Sequence, residues 1–247
     1  MKLKIFGTKE DLADAAARKA AEILKKAIAS KRHASFIAAT GKSQFDFLRN
    51  LTNDFSIDWS KTTMFHLDEY IGLSETHPAS FRRYLKERLI NKVQPGIVHL
   101  IIGDTENPED ECERLNQLIA DKEIDVAFVG IGENGHLGFN DPPADFETES
   151  PFIIVELDRD CIRQQCEEGW FPDRAYVPKR AISISIKQLM KSKYIVCVVP
   201  EKRKARAVKN CLENEVSPLY PASILRKHKN AFIYLDNDSA SLLGRIK

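Results

Sequence analysis

Three short segments hold the residue types that acid–base chemistry and anion binding require. ATGKS brings together Thr40, Gly41, Lys42 and Ser43, LDEYIGL carries the adjacent carboxylates Asp68 and Glu69, and GIGENGHLGFNDPP sets His136 between Asn134 and Asp141. A carboxylate held close to a carbon acid beside a carbonyl can take its proton, and an imidazole can pass protons between oxygens near neutrality. A small glycine-containing loop between a strand and a helix can cradle a phosphate. The backbone N–H groups of the GIGENG turn, around Gly135, could stabilise an oxyanion.

Two glycine patterns invite a different reading and fail on context. Gly130, Gly132 and Gly135 have the G-x-G-x-x-G spacing of a dinucleotide site, but such a fingerprint must open a helix, and here Pro142 and Pro143 follow within a few residues. Thr40 to Ser43 resembles the end of a nucleotide P-loop, yet Phe36 stands where that motif needs its first glycine. No cofactor is expected from either.

The segments must be positioned by the elements around them. Apolar runs of strand length (LKIF, SFIAA, TTMFHL, IVHLII, DVAFVGIG, PFIIVEL, RAISISI, KYIVCVVP, NAFIYLD) alternate with helix-period stretches from end to end. That alternation predicts an α/β fold, a mostly parallel, Rossmann-like open sheet with helices on both faces, over one domain spanning 1–247. Thr8, with Asp11 three residues on, predicts the start of the first helix. In a parallel sheet the loops at 39–43, 67–78 and 130–143 all fall at the carboxyl edge, where open α/β folds bind ligands.

Composition excludes several classes of partner. The chain of 247 residues has 37 basic and 36 acidic side chains, a formal net charge of +1, which predicts neither nucleic acid nor an anionic membrane as partner. MKLKIFGTKEDLADAAARK turns polar after Phe6, so neither a secretory signal nor a membrane span is expected, and a cytoplasmic location is. The five cysteines (112, 161, 166, 197 and 211) form no CxxC pair and no zinc spacing, so reduced thiols and no metal are expected.

LDEYIGL followed by GIGENGHLGFNDP resembles the paired signatures of the glucosamine-6-phosphate deaminase and isomerase family, and the resemblance extends to ATGKS, VPKRAISI, KARAV and PASIL. It implies Asp68 as the C2 general base, His136 as the ring-opening group, Asp141 as its supporting acid, and Thr40 to Ser43 with Lys204 as the phosphate site. By default Lys204 would be one charge on the solvated face of KRKARAVK, beside Lys202 and Arg203. Glu69 and Gly135 are grouped with the substrate contacts, and Arg163 is a second possible anion contact. Many family members have Asp at the position of Asn134 and Glu at that of Asp141, so Asn134 is expected to bond a ring nitrogen without adding charge, and Asn134→Asp to remain active with its pH profile shifted upward. The resemblance implies conversion of glucosamine 6-phosphate and water to fructose 6-phosphate and ammonia without a cofactor, and a small-molecule sugar phosphate as partner, with a homo-oligomer possible. A 6-phosphogluconolactonase-type hydrolase or a non-catalytic sugar-phosphate sensor are the alternatives, although GHLGFNDP and LDEY favour the deaminase side. No helix-turn-helix extension is visible in the sequence.

Overall fold

A computed structural model describes residues 1–244. Ten strands are present among them: β1 (Lys2–Phe6), β2 (Ala34–Ala38), β3 (Thr62–His66), β4 (Asp68–Tyr70), β5 (Ile97–His99), β6 (Val126–Val129), β7 (Phe152–Glu156), β8 (Arg180–Ile184), β9 (Tyr194–Val199) and β10 (Ala231–Asp236). Seven of these form one wholly parallel sheet in the order β1-β10-β9-β6-β2-β3-β5. Its interior strands are buried on both faces, which is why VAFV and YIVCVV read as unbroken apolar runs.

Side chains alternate across this sheet and sort into two cores. Phe36, Phe128 and Val198 face one way with helices α1 (Lys9–Lys31) and α2 (Phe45–Thr52), and with α3 (Phe81–Leu85), which continues through a π-type turn at Lys86–Ile90 into α4 (Asn91–Val93). Ile37, Val129 and Cys197 face the other way. There they meet α5 (Pro108–Ile119), α7 (Ile186–Met190) and α8 (Ala205–Glu213); α6 (Arg159–Glu167) packs apart from both, over an aromatic cluster around Tyr70 and Phe139. The expected doubly covered sheet is present, and Thr8 caps α1 by accepting from the Asp11 amide at 3.1 Å.

One expectation needs correction. PFIIVEL and RAISISI do not extend the parallel sheet: they are β7 and β8 of a separate antiparallel sheet, ordered β4-β8-β7. Its third strand is Asp68–Tyr70, inside a segment expected to be loop. Period-two apolar patterns cannot tell one sheet from another, because partner choice is a long-range matter.

The two sheets are joined through Leu67. Its N–H donates to Ala38 O at 3.2 Å and its carbonyl accepts from the Ile184 N–H at 2.9 Å, so the chain leaves β3 and enters β4 without losing backbone pairing. Asp68 then pairs with Ser183, and the pleat sends Asp68 and Glu69 to opposite sides. Glu69, wholly buried, anchors α3. Its carboxylate accepts from the Tyr70, Phe81 and Arg82 amides and from the Ser80 hydroxyl at 2.7 to 3.1 Å. We expect Glu69→Gln to lose about 1–3 kcal/mol of unfolding free energy, because an amide turns an N–H₂ toward donors that need an acceptor. Urea denaturation with an unchanged slope would measure that loss.

Candidate active site

In the parallel sheet the strand order reverses between β2 and β6, and ligand crevices of open α/β folds lie at such a point. The loops after these two strands border a solvent-open cavity of about 540 Å³. Asp68 reaches it from β4, Lys204 from the turn that opens α8, and Gln164, Gln165 and Glu168 from α6 and the residue after it.

Gly41 adopts φ 93°, which a side chain would strain, and the chain then turns into a 3₁₀ segment at Lys42–Gln44 and on into α2. Thr40, Gly41, Lys42 and Ser43 all border the cavity. The loop is held from behind by Tyr84, whose hydroxyl donates to Gly41 O at 3.0 Å.

Asp68 is 5% exposed, and its Oδ1 has no hydrogen-bond partner among the described residues. Burial, reinforced by the neighbouring charge of Glu69, holds its carboxyl well above the usual carboxylate range. Gly138, at φ 63°, lets the 137–140 turn come close: a Cβ there would lie 3.0 Å from Ser183 Oγ and 3.6 Å from Asp68 Oδ2. The Phe139 amide donates to Ser183 Oγ at 3.1 Å and Asn140 Nδ2 donates to Ile184 O at 2.9 Å, so this turn is stitched to the strand that pairs with Asp68.

His136 borders the same cavity, and its Nδ1 lies 3.1 Å from Asp141 Oδ1. Asp141 also accepts from Asn134 Nδ2 at 2.9 Å and, on its other oxygen, from the Asp158 N–H at 3.0 Å. Burial acts to raise the Asp141 carboxyl, but the bonds from His136 and Asn134 prevail and leave it below its ordinary value. Gly132 lies against the imidazole, since a Cβ at that position would stand 2.2 Å from ring atoms. The glycine that suggested a nucleotide site instead makes room for a histidine. No helix opens after it: Gly132 N–H donates to His136 O at 3.0 Å, closing a tight turn.

Asn134 does not touch the ring. Its Oδ1 accepts the His136 backbone N–H at 3.0 Å, while Nδ2 donates to both Asp141 and Asp158 at 2.9 Å. The expectation for Asn134→Asp changes accordingly, because the new carboxylate would face two others. Cys161 stands beside this group: one donor atom each from His136, Asp141 and Cys161 lie within 4.8 Å of one another, a set able to hold a metal ion.

Lys204 is 2% exposed and faces the cavity, whereas Lys202 is exposed and Arg203 is engaged with Glu133, Glu168 and Glu201 at 2.7 to 3.2 Å. Burial pulls the Lys204 ammonium down to about 8, against the raising effect of Glu168 4.0 Å away. Arg163 pairs with Asp160 at 2.7 Å and does not border the cavity. Glu69 and Gly135 also lie outside its lining: Glu69 is committed to α3, and Gly135 O accepts from the Ala222 amide at 2.9 Å. Sequence reasoning passed over Gln44, Gln164, Gln165 and Glu168, none of which stands in a segment with a chemical signature.

Residues 7–234 match the family model of glucosamine-6-phosphate isomerases and 6-phosphogluconolactonases. The chain belongs to this family. It is 38% identical over 231 residues to glucosamine-6-phosphate deaminase 2 of Bacillus subtilis, covering 90% of this chain and 91% of that one. To the glucosamine-6-phosphate deaminase of Staphylococcus saprophyticus it is 34% identical, covering 89% and 92%. Among solved structures, a monomeric glucosamine-6-phosphate deaminase superposes with a TM-score of 0.89 at 32% identity, covering 98% of this chain and 100% of that one. A 6-phosphogluconolactonase from Shewanella baltica superposes with a TM-score of 0.78 at 19% identity, covering 96% and 97%, which establishes a common fold. Among the described residues no helix is long and apolar enough to cross a membrane.

Within this family site, Asn134→Asp should cost about 1–3 kcal/mol of stability at neutral pH, since it removes two N–H donors and crowds three carboxylates. One carboxyl of the cluster would then have a folded-state pKa above its unfolded value, so the penalty is full above that raised pKa and shrinks as the pH falls through it. Thermal melts of both proteins between mildly acidic and neutral pH would show the gap narrowing toward acid.

Proposed function

We propose that this protein is a glucosamine-6-phosphate deaminase, converting glucosamine 6-phosphate and water to fructose 6-phosphate and ammonia. The observation that carries the reading is the unpartnered, buried Asp68 carboxylate bordering one cavity with the Asp141-held His136 and with Lys204. The named deaminases at 34% and 38% identity support it over nearly the whole chain.

In this reading the loop Thr40 to Ser43 and Lys204 hold the 6-phosphate. With Nδ1 tied to Asp141, Nε2 of His136 is the nitrogen left to act on substrate. It takes the proton of the anomeric hydroxyl and returns one to the ring oxygen, opening the pyranose. Asp68 then removes the C2 proton of the open-chain aldehyde and delivers it to C1. One amine proton passes to O1, which becomes the C1 hydroxyl, so C2 is left as an imine, whose hydrolysis releases ammonia and gives the ketose. Because the proton lost at one carbon is returned at its neighbour, the isomerisation needs no external hydride acceptor.

The elevated Asp68 carboxyl suits this role, because a base must hold a proton well enough to take it from carbon. It also sets a sign: Asp68 stays protonated to a higher pH than an ordinary carboxyl, so turnover should fall on acidification already above the usual carboxylate range. The phosphate site is electrostatically tight. Glu168 sits 4.0 Å from Lys204 and also pairs with Arg203 at 2.8 Å, so an incoming phosphate must compete with a carboxylate for that ammonium.

The reading is tested by incubating purified protein with glucosamine 6-phosphate, galactosamine 6-phosphate and 6-phosphogluconolactone, assaying ammonia, ketose phosphate and acid release. Lactone hydrolysis without ammonia would overturn it in favour of the lactonase branch. Asp68→Asn should fold normally and lose at least ~100-fold in turnover. Lys204→Ala should raise KM more than it lowers kcat, since a phosphate contact persists from ground state to transition state. In the unaltered protein KM should climb as the pH passes about 8, where Lys204 loses its charge, and the variant should lack that climb.

A further inference from the structure

We propose that His136, Asp141 and Cys161 form a binding site for Zn²⁺ or a similar borderline-soft divalent cation, and that a metal held there switches the candidate site off. The blocking half of this proposal rests on the ring-opening role given to His136; the binding half does not. The three residues are separated in sequence, and the fold brings a ring nitrogen of His136, a carboxylate oxygen and Sγ within 4.8 Å of one another; Nδ1 is the nitrogen that faces Asp141, at 3.1 Å. A tetrahedral ion with bonds of about 2.0–2.3 Å needs ligand atoms roughly 3.3–3.8 Å apart, so small side-chain adjustments complete the set. Nitrogen, oxygen and sulfur together select Zn²⁺ and disfavour Mg²⁺ and Ca²⁺, which want oxygen alone.

The surroundings are those of a supported metal site. Asp141 is oriented by Asn134 Nδ2 and the Asp158 N–H, and Cys161 is fixed through its own amide, which donates to Asp158 Oδ1 at 2.6 Å. Such outer contacts are what hold metal ligands in place. A second, solvent-open cleft borders Asp141, and its wall includes the exposed carboxylates of Asp145 and Glu156. Those carboxylates attract cations toward the Asp141 side of the group.

Binding balances simply. The Cys161 thiol gives its proton to solvent as the S–metal bond forms, and the proton on the imidazole moves from Nδ1 to Nε2 as Nδ1 donates its lone pair to the metal. Nε2 then carries a proton with no free lone pair, so it cannot accept one from an anomeric hydroxyl. The shuttle stops while Asp68 remains in place.

The test uses Co²⁺ and Zn²⁺ alone, added to chelator-treated full-length protein without substrate. One equivalent of Co²⁺ should bind and give the near-ultraviolet absorption of a cobalt thiolate. Cys161→Ser should abolish that band and weaken Zn²⁺ binding at least ~10-fold, while Cys166→Ser changes neither and Mg²⁺ does not compete. Cys161→Ala should show the same losses, which guards against a packing effect peculiar to serine. Zn²⁺ should inhibit turnover over the concentration range in which it binds, and chelator should restore activity. No cobalt binding at millimolar concentration, or a band that persists in both Cys161 variants, would overturn the site. Binding with undiminished turnover would overturn the switch. Binding by a protein that deaminates no substrate would instead count against the proposed function and leave the metal site standing.

Discussion

Burying a carboxylate without a hydrogen-bond partner costs free energy that the remaining structure has to offset. Asp68 is in that position, and much of the architecture can be understood as what keeps it there. Leu67 is bonded to both sheets, so the strand carrying Asp68 cannot drift from the parallel sheet without breaking backbone pairs. Glu69, next in the chain, is locked on the opposite side by four donors around the start of α3. The two acids look equivalent in sequence and differ in their surroundings: Glu69 has its oxygens saturated, and Asp68 Oδ1 has no partner among the described residues. The pleat of a three-residue strand separates them.

The same logic runs through the glycines of the turn that carries His136. Gly132 leaves space for the imidazole and Gly138 for the approach to Asp68 and Ser183, so a backbone without side chains lets His136 and Asp68 share a crevice. Asn134 then joins backbone to relay, bonding the His136 amide with one end and two carboxylates with the other. Polar groups that depend on each other in this way are strong when complete and costly when one member changes.

The end of the crevice at Lys204 shows a different balance. Lys204 is almost wholly enclosed, and its charge is maintained against burial by Glu168. Arg203 satisfies the carboxylates around it instead of facing the cavity. The cation best suited to an anionic ligand is the one whose own solvation is poorest, because desolvated charges interact most strongly.

From the sequence alone, the alternation of apolar runs and helix-period stretches determined an open, doubly covered α/β sheet. The resemblance of LDEY and GIGENGHLGFND to the family signatures implied which carboxylates and which histidine to watch. These signals are local, since hydrophobic period and motif are both written within a few residues. Tertiary structure alone decided that Asp68 lies on a strand of a second, antiparallel sheet, and it puts at the crevice the Asp68 and Lys204 that the resemblance had singled out, while Glu69, Lys202 and Arg203 lie outside its lining. It alone placed Gln44, Gln164 and Glu168 in the wall and Cys161 beside Asp141. Each of those outcomes depends on which distant segments pack together, and no stretch of chain carries that information by itself.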